Sequence, residues 1–289
     1  ILCFLGVLAF HFPEYLTTPQ LRQSYNVDVI RKIMYAALVI AGGIAIFNTV
    51  FGRARWLALA AFALVALTAL LGGHKVPVND FADNTPYIGL DWFILDLLGS
   101  ALIFIFIEKL FALRKDQPVF RPEWQTDLHH FIVNHMLIGF MLLATNLLVH
   151  KLFGWAAVDG VRGWVAALPF WAALPLLILA ADLVQYWTHR AYHEVPLLWR
   201  LHAVHHSAKS MDWLSCSRQH IVELLITRTL VLAPIYVLGF SKEVIDAYIV
   251  IVGFQAVFNH ANVSVRLGPL RYLIVTPNFH HWHHSQDQE

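Results

Sequence analysis

Histidine spacing carries the chemistry of this chain. From His189 to His206 the sequence reads HRAYHEVPLLWRLHAVHH, five histidines within eighteen residues. His189 and His193 are four apart, and His202, His205 and His206 stand at i, i+3 and i+4, so on helices each set points to one side. The C-terminal NFHHWHHSQD repeats that spacing in His280, His283 and His284, with His281 off the shared face. A serine follows each cluster, Ser207 and Ser285, and His220 and His260 lie between them. A lone histidine on an apolar helix is ordinarily a satisfied core or interface residue. Sets in register are different: a neutral imidazole offers one lone pair to a metal and one N–H to an outer acceptor, which suits first-row metals.

The number of histidines points to more than one ion. A single zinc takes about three or four protein ligands, whereas two octahedral ions together take about eight to ten. Nine histidines match a dinuclear site: His189, His193, His202, His205, His206, His260, His280, His283 and His284. Helical-bundle di-iron proteins use a Glu-x-x-His pair instead. No Glu-x-x-His occurs in this sequence, which argues against a carboxylate-bridged site.

The elements that must position these residues are membrane spans. The chain has 289 residues, 58% of them hydrophobic, with ten Trp and twenty Phe. Only 13% are charged, against about 25% in soluble domains, and the mean hydropathy is +0.58. This predicts an all-α, polytopic helical membrane protein. A net charge of +1 offers no basic footprint for nucleic acid, and that class is set aside. Cys3 and Cys216 form no CxxC pair, so neither a zinc ribbon nor a disulfide framework is indicated; Cys216 reads as a small apolar residue. The chain runs from Ile1 to Glu289, five residues past the last histidine, and is expected to be a fragment truncated at its C-terminus.

Apolar runs predict five spans, about 33–51, 56–71, 89–111, 128–152 and 164–187, the last kinked by Pro169 and Pro175. Residues 1–12 are too short to span, 13–32 form a loop leading into a helix, and 74–87 form a loop. A charged connector, EKLFALRKDQPVFRPEWQTD, separates the third and fourth spans. Beyond the fifth, runs at 221–240 and 244–258 form a hairpin that enters and returns. Basic residues number ten on one side and six on the other, which favours the first side as cytoplasmic. All the clustered histidines emerge on that side, although apolar runs alone defined the spans. His129, His130 and His135 fall in the first turns of the fourth span and read as interfacial.

HRAYH, HAVHH and HHWHH, with Asp182 and Tyr186 ahead of the first box and Leu198-Trp199 before the second, resemble the membrane fatty acid hydroxylase and sterol desaturase superfamily. Its pattern is HxxxH, HxxHH and a final HxxHH with single histidines between. The resemblance covers about residues 120–289 and implies a division into residues 1–115, a transmembrane region outside it, and residues 116–289, a catalytic domain whose cytosolic-side helical cap carries the boxes. It implies an O2-dependent non-haem oxygenase with two iron ions, or zinc as a substitute in purified protein, that hydroxylates or desaturates a membrane lipid of sterol, fatty acyl or alkylglycerol type. The nine histidines carry over as metal ligands. His260 resembles the ligand after the hairpin, but Ser264 stands where some members have a further histidine.

Outer partners are less marked. His220 resembles a histidine that some members follow with proline and, three residues on, glutamate; here Ile221 replaces the proline and Glu223 is present. His281 reads as a hydrogen-bond donor, and Asp182 and Glu194 as acceptors that would orient imidazoles. No dinucleotide fingerprint, fused flavin pattern or haem-attachment motif occurs, so electrons must come from a separate ferredoxin, reductase or cytochrome b5-like donor. Arg190, Arg200, Lys209 and Arg218 are candidates to dock it. The membrane would be a bacterial inner membrane, or the endoplasmic reticulum in a eukaryote. The rival reading is a membrane metal transporter or haem-binding electron carrier, which places its ligands at mid-span rather than beyond span ends.

Overall fold

The computed structural model describes residues 1–22, 24–78 and 87–285. Part of the predicted 74–87 loop and residues 286–289 lie outside the described residues. The architecture is all-α, and among the described residues the only strand-like pairing is an isolated antiparallel bridge between Ala112 and Val263. Among the described residues six helices are long and apolar enough to cross a membrane, and this is a multi-pass membrane protein. Large apolar side chains along them are widely exposed, as expected where lipid is the solvent and each helix satisfies its own backbone.

The chain divides into two compact units, Ile1–Leu95 and Asp96–Glu289. The first contains α1 (Leu2–His11), α2 (Val27–Phe51) and α3 (Arg55–Leu70), with single helical turns at Pro13–Leu16 and Pro19–Arg22. The predicted 13–32 loop is therefore partly helical, and α2 starts earlier than its apolar run because Asn26 caps it, accepting from the Val29 N–H. Val7, Met34 and Val76 form a small core. The Asp91 carboxylate ties the unit's polar edge, accepting from the Thr18 N–H and hydroxyl and from the Tyr25 hydroxyl.

The second unit begins within α4 (Leu90–Leu110) and contains α5 (Trp124–Met136), α6 (Ile138–Phe153), α7 (Asp159–Ala166), α8 (Phe170–Glu194), α9 (Pro196–His202), α10 (Ile221–Leu238), α11 (Lys242–His260) and α12 (Pro277–His283). The predicted fourth span is two helices that part at Leu137. The first of them, α5, holds Gln125, Asp127, His129, His130, Asn134 and His135, too polar for lipid on all sides; His135 pairs with Asp96 at 2.9 Å. The predicted fifth span also differs. Pro169 is the N-cap of α8 rather than a kink within it, and the helix continues past Trp187 to Glu194, so His189 and His193 share it.

Packing explains why α8 is the spine of this unit. Ala173, Leu177, Ala181, Thr188 and Tyr192 form its buried stripe at helical spacing. The first three join Val165, Ile235, Phe240, Val244 and Tyr248 in the main core, where α8 meets α10 and α11. His189 and His193 each stand one residue beyond a buried stripe position. α10 and α11 are joined through Gly239, whose φ of 71° caps α10 in the left-handed region. An added Cβ there would lie 2.9 Å from the Arg162 Cβ, so glycine is required for space as well as conformation.

Candidate metal centre

Each histidine is placed by an identifiable local feature. α8 presents His189 and His193 one turn apart. It ends at Val195, held extended before Pro196, which starts α9 at its first position. That turn folds His202 back until its ring centroid lies 4.7 Å from His189 and 4.9 Å from His193. HAVHH is not one continuous helix: α9 stops at His202, and His205–Ser207 is a 3-10 turn. The three rings nevertheless stay neighbours, with centroids 4.8–5.8 Å apart. His260 is the last residue of α11. Thr276 caps α12, with its hydroxyl accepting from the Phe279 N–H, and Pro277 fills the first helical position.

The histidines converge in two groups. His189, His193, His202 and His283 form the first, and His205, His260, His280 and His284 the second; in each, four ring nitrogens lie within 4.8 Å of one another. The earliest and latest boxes meet directly, with Nε2 of His189 3.0 Å from Nε2 of His283. In the second group Nε2 of His260 lies 3.1 Å from that of His205 and 3.0 Å from that of His280, which is 3.2 Å from that of His284. Metal–nitrogen bonds of about 2.1 Å at right angles put neighbouring nitrogens about 3.0 Å apart. His206 belongs to neither foursome but stands between them, stacked on His284 at 4.1 Å and edge-on to His193 at 4.8 Å.

The outer nitrogens decide which face of each ring is free. Nδ1 of His205 donates to the Arg218 carbonyl at 3.0 Å, and Nδ1 of His260 donates to the Ala256 carbonyl at 2.8 Å. In the neutral rings both Nε2 atoms then carry lone pairs, and these face each other at 3.1 Å. Two aligned lone pairs repel unless a proton or another cation sits between them. Burial disfavours the proton: it holds His205 down at about 4 and His206 at about 2. His280 and His284 are also held far below the usual imidazole range, first by burial and then by neighbouring rings. In the first group Nδ1 of His202 meets the Glu223 carboxylate at 2.6 Å, leaving a buried Nε2 with no protein partner. His206 Nε2 and His284 Nδ1 are likewise buried and unpartnered. The residues fit one cation per group.

His281 is buried on the far side of its box and donates from Nε2 to the His260 carbonyl at 2.8 Å. His220 caps α10, its Nδ1 accepting from the Val222 N–H; it bonds to no other imidazole among the described contacts. Asp182 is exposed about two turns before His189 and Glu194 pairs with Arg190, so neither is an acceptor for an imidazole. Of the candidate docking residues, Arg218 is corrected: it is buried and bonded to Asp127 and to Glu123. Arg190 and Lys209 are exposed, the first paired with Glu194 and the second 3.5 Å from Glu123.

Sequence reasoning missed the structure behind the histidines. Arg121 is fully buried, pairing with Asp127 and, at 2.8 Å, with Asp212; Asp127 also pairs with Arg218, the residue whose carbonyl holds His205. Glu123, at φ 68°, adopts a left-handed backbone uncommon outside glycine, and its side chain bonds to Arg218. The Glu108 carboxylate accepts from the Trp213 and Asn262 N–H groups, tying α4 to the segment just after His260. The available signal was the concentration of charge in the 108–127 connector of a chain otherwise poor in charge.

Residues 174–289 match the sequence model of the fatty acid hydroxylase family. The matched segment contains all three histidine boxes and His260. Curated relatives agree. An ornithine lipid hydroxylase of Rhizobium tropici is 33% identical over 123 residues, which are 43% of this chain and 37% of that protein. A very-long-chain aldehyde decarbonylase of Oryza sativa subsp. indica is 28% identical over 150 residues, 46% of this chain and 24% of that protein. The human alkylglycerol monooxygenase is 30% identical over 113 residues, 38% of this chain and 24% of that protein. The chain thus spans well under half the length of these relatives. No solved structure matches it significantly.

Proposed function

We propose that this chain is an O2-dependent oxidoreductase acting on a membrane lipid, with two iron ions held by the nine histidines. The observation that carries the reading is the facing of buried, neutral Nε2 lone pairs in a segment whose relatives include a lipid hydroxylase and an alkylglycerol monooxygenase. Bound iron supplies O2 activation, which side chains alone cannot perform. The protein's own groups orient the site. Glu223 and the carbonyls of Arg218 and Ala256 hold His202, His205 and His260 with their outer nitrogens protonated, and the buried ionic cluster fixes the Arg218 carbonyl. His206, between the groups, is the ninth ligand.

The substrate reaches the site from the bilayer. Leu183, Tyr186 and Trp187 are exposed on α8 ahead of His189, and Phe279 and Trp282 are exposed around the last box. A lipid chain lying on these surfaces brings a carbon to the histidines without crossing water. Residues 116–289 form the catalytic domain, with Glu108 as its tie to the preceding span. The site faces the cytoplasm, where a ferredoxin, reductase or cytochrome b5-like protein delivers electrons. Nitrogens about 3.0 Å apart leave no room for a porphyrin plane between them, which disfavours the haem-carrier alternative. Metal analysis of the purified chain, with lipid mass spectrometry of cells carrying or lacking it, tests the reading: about two irons per chain and an O2-dependent lipid product are expected. A protein without iron, or a lipid profile unchanged by its loss, overturns it.

A further inference from the structure

We propose that a basic cavity beside the last turn of α4 binds the phosphate group of an anionic membrane phospholipid. The cavity measures about 410 Å³ and is walled by Lys109, Arg114, Lys115, Gln117, Asn262 and Ser264 among others, a volume typical of small-ligand sites. Among the described residues none of its three cations forms an ion pair. Its one wall carboxylate, Glu108, accepts two backbone N–H groups at Oε1 and pairs with none of the three cations. Asp116, next in sequence, is exposed and not on the wall.

The wall is built rather than draped. Oδ1 of Asn262 accepts from the Arg114 N–H at 2.8 Å while its Nδ2 donates to the Arg114 carbonyl at 3.0 Å. The Ser264 N–H donates to the Phe111 carbonyl at 2.7 Å, and Nζ of Lys109 reaches the Gln117 carbonyl at 3.4 Å. Around this polar floor Leu110, Phe111, Val119 and Phe120 are exposed. Apolar side chains surrounding cations at the end of a span mark the level where hydrocarbon meets headgroups, and cations there attract anionic lipid. The apolar rim favours a lipid, whose chains would lie against it, over an acidic protein, which has no use for it. Asn262 is two residues past His260, so a filled cavity stiffens the strip that carries that histidine. The inference does not depend on the oxygenase reading.

The test uses the full chain in neutral detergent, relipidated with phosphatidylglycerol or with phosphatidylcholine and read by native mass spectrometry. Selective retention of phosphatidylglycerol is expected. The triple variant Lys109→Gln, Arg114→Gln, Lys115→Gln should lower that retention at least tenfold. Ser264→Trp, which fills the cavity at unchanged charge, should do the same with an unchanged unfolding midpoint. Loss in the triple variant but not in Ser264→Trp would mean diffuse surface charge and overturn the site. Displacement by millimolar inorganic phosphate would assign it to a soluble anion, and weakened binding of an acidic ferredoxin with lipid retention intact would assign it to a protein; either overturns the proposal.

Discussion

The two histidine groups sit side by side, yet their outer partners differ in kind. In the first group His202 leans on a carboxylate, Glu223. In the second, His205 and His260 lean on backbone carbonyls, those of Arg218 and Ala256. A carboxylate contributes a full negative charge, whereas a carbonyl contributes a dipole. With equal numbers of imidazoles, a cation held by the first group would be bound more tightly and made less electrophilic than one held by the second. The anchors also differ in reach. Glu223 is one buried side chain on α10, while the Arg218 carbonyl is positioned by a cluster of five charged residues drawn from the connector, α5 and the segment before α10.

The comparison breaks most sharply if the groups are not separate sites. His202→Ala should empty the first group and His205→Ala the second, each lowering metal content by about one ion per chain and turnover by more than about a hundredfold. Metal analysis of the two variants checks this. Loss of all metal from either single change would make the nine histidines one indivisible centre.

The next largest effect should come through the second group's support. Asp127→Ala leaves the buried Arg121 and Arg218 without their shared carboxylate, a loss of about 3 to 5 kcal/mol for a broken buried pair. Thermal unfolding in detergent measures it. Metal should leave the second group first, because His205 loses its fixed acceptor. Glu223→Gln is gentler, since the amide oxygen can still accept from His202 and only the charge is removed. It should weaken metal binding in the first group by about 10- to 100-fold and leave the second unchanged, as competition with a chelator would show. Equal weakening of both groups would remove the distinction between carboxylate and carbonyl anchors.

These anchors show how far the sequence could be read. The histidines were legible because their residue type and spacing name the chemistry, and the long apolar runs were legible because lipid requires them. Glu223 was half legible, as part of the resemblance around His220. The carbonyls of Arg218 and Ala256 were not, since a backbone acceptor has no residue type. Arg121 and Asp127 carry no signal beyond a charged connector, and Arg218 none beyond a basic surface residue; only the fold neutralises them against one another and against Asp212. At HAVHH the spacing names neighbours correctly but not the helix: α9 ends at His202, and the box serves both groups, His202 in one and His205 in the other. The break at Leu137 has only Gly139, two residues on, as its signal, and a single glycine inside an apolar run does not by itself end a helix.

The smallest expected effect sharpens the comparison from outside it. Gly239 lies at the far end of the α10–α11 hairpin from His220 and His260, at φ 71° and against Arg162. Gly239→Ala should cost about 1 to 2 kcal/mol for a left-handed non-glycine residue, somewhat more if Arg162 cannot withdraw. The hairpin carries anchors for both groups, Glu223 on α10 and His260 on α11. If those anchors hold through local bonds, the unfolding midpoint falls while metal affinity in both groups stays as it was. If affinity falls in step with stability, the hairpin as a whole sets the geometry, and the contrast between a carboxylate and a carbonyl becomes secondary to how firmly two helices are held together.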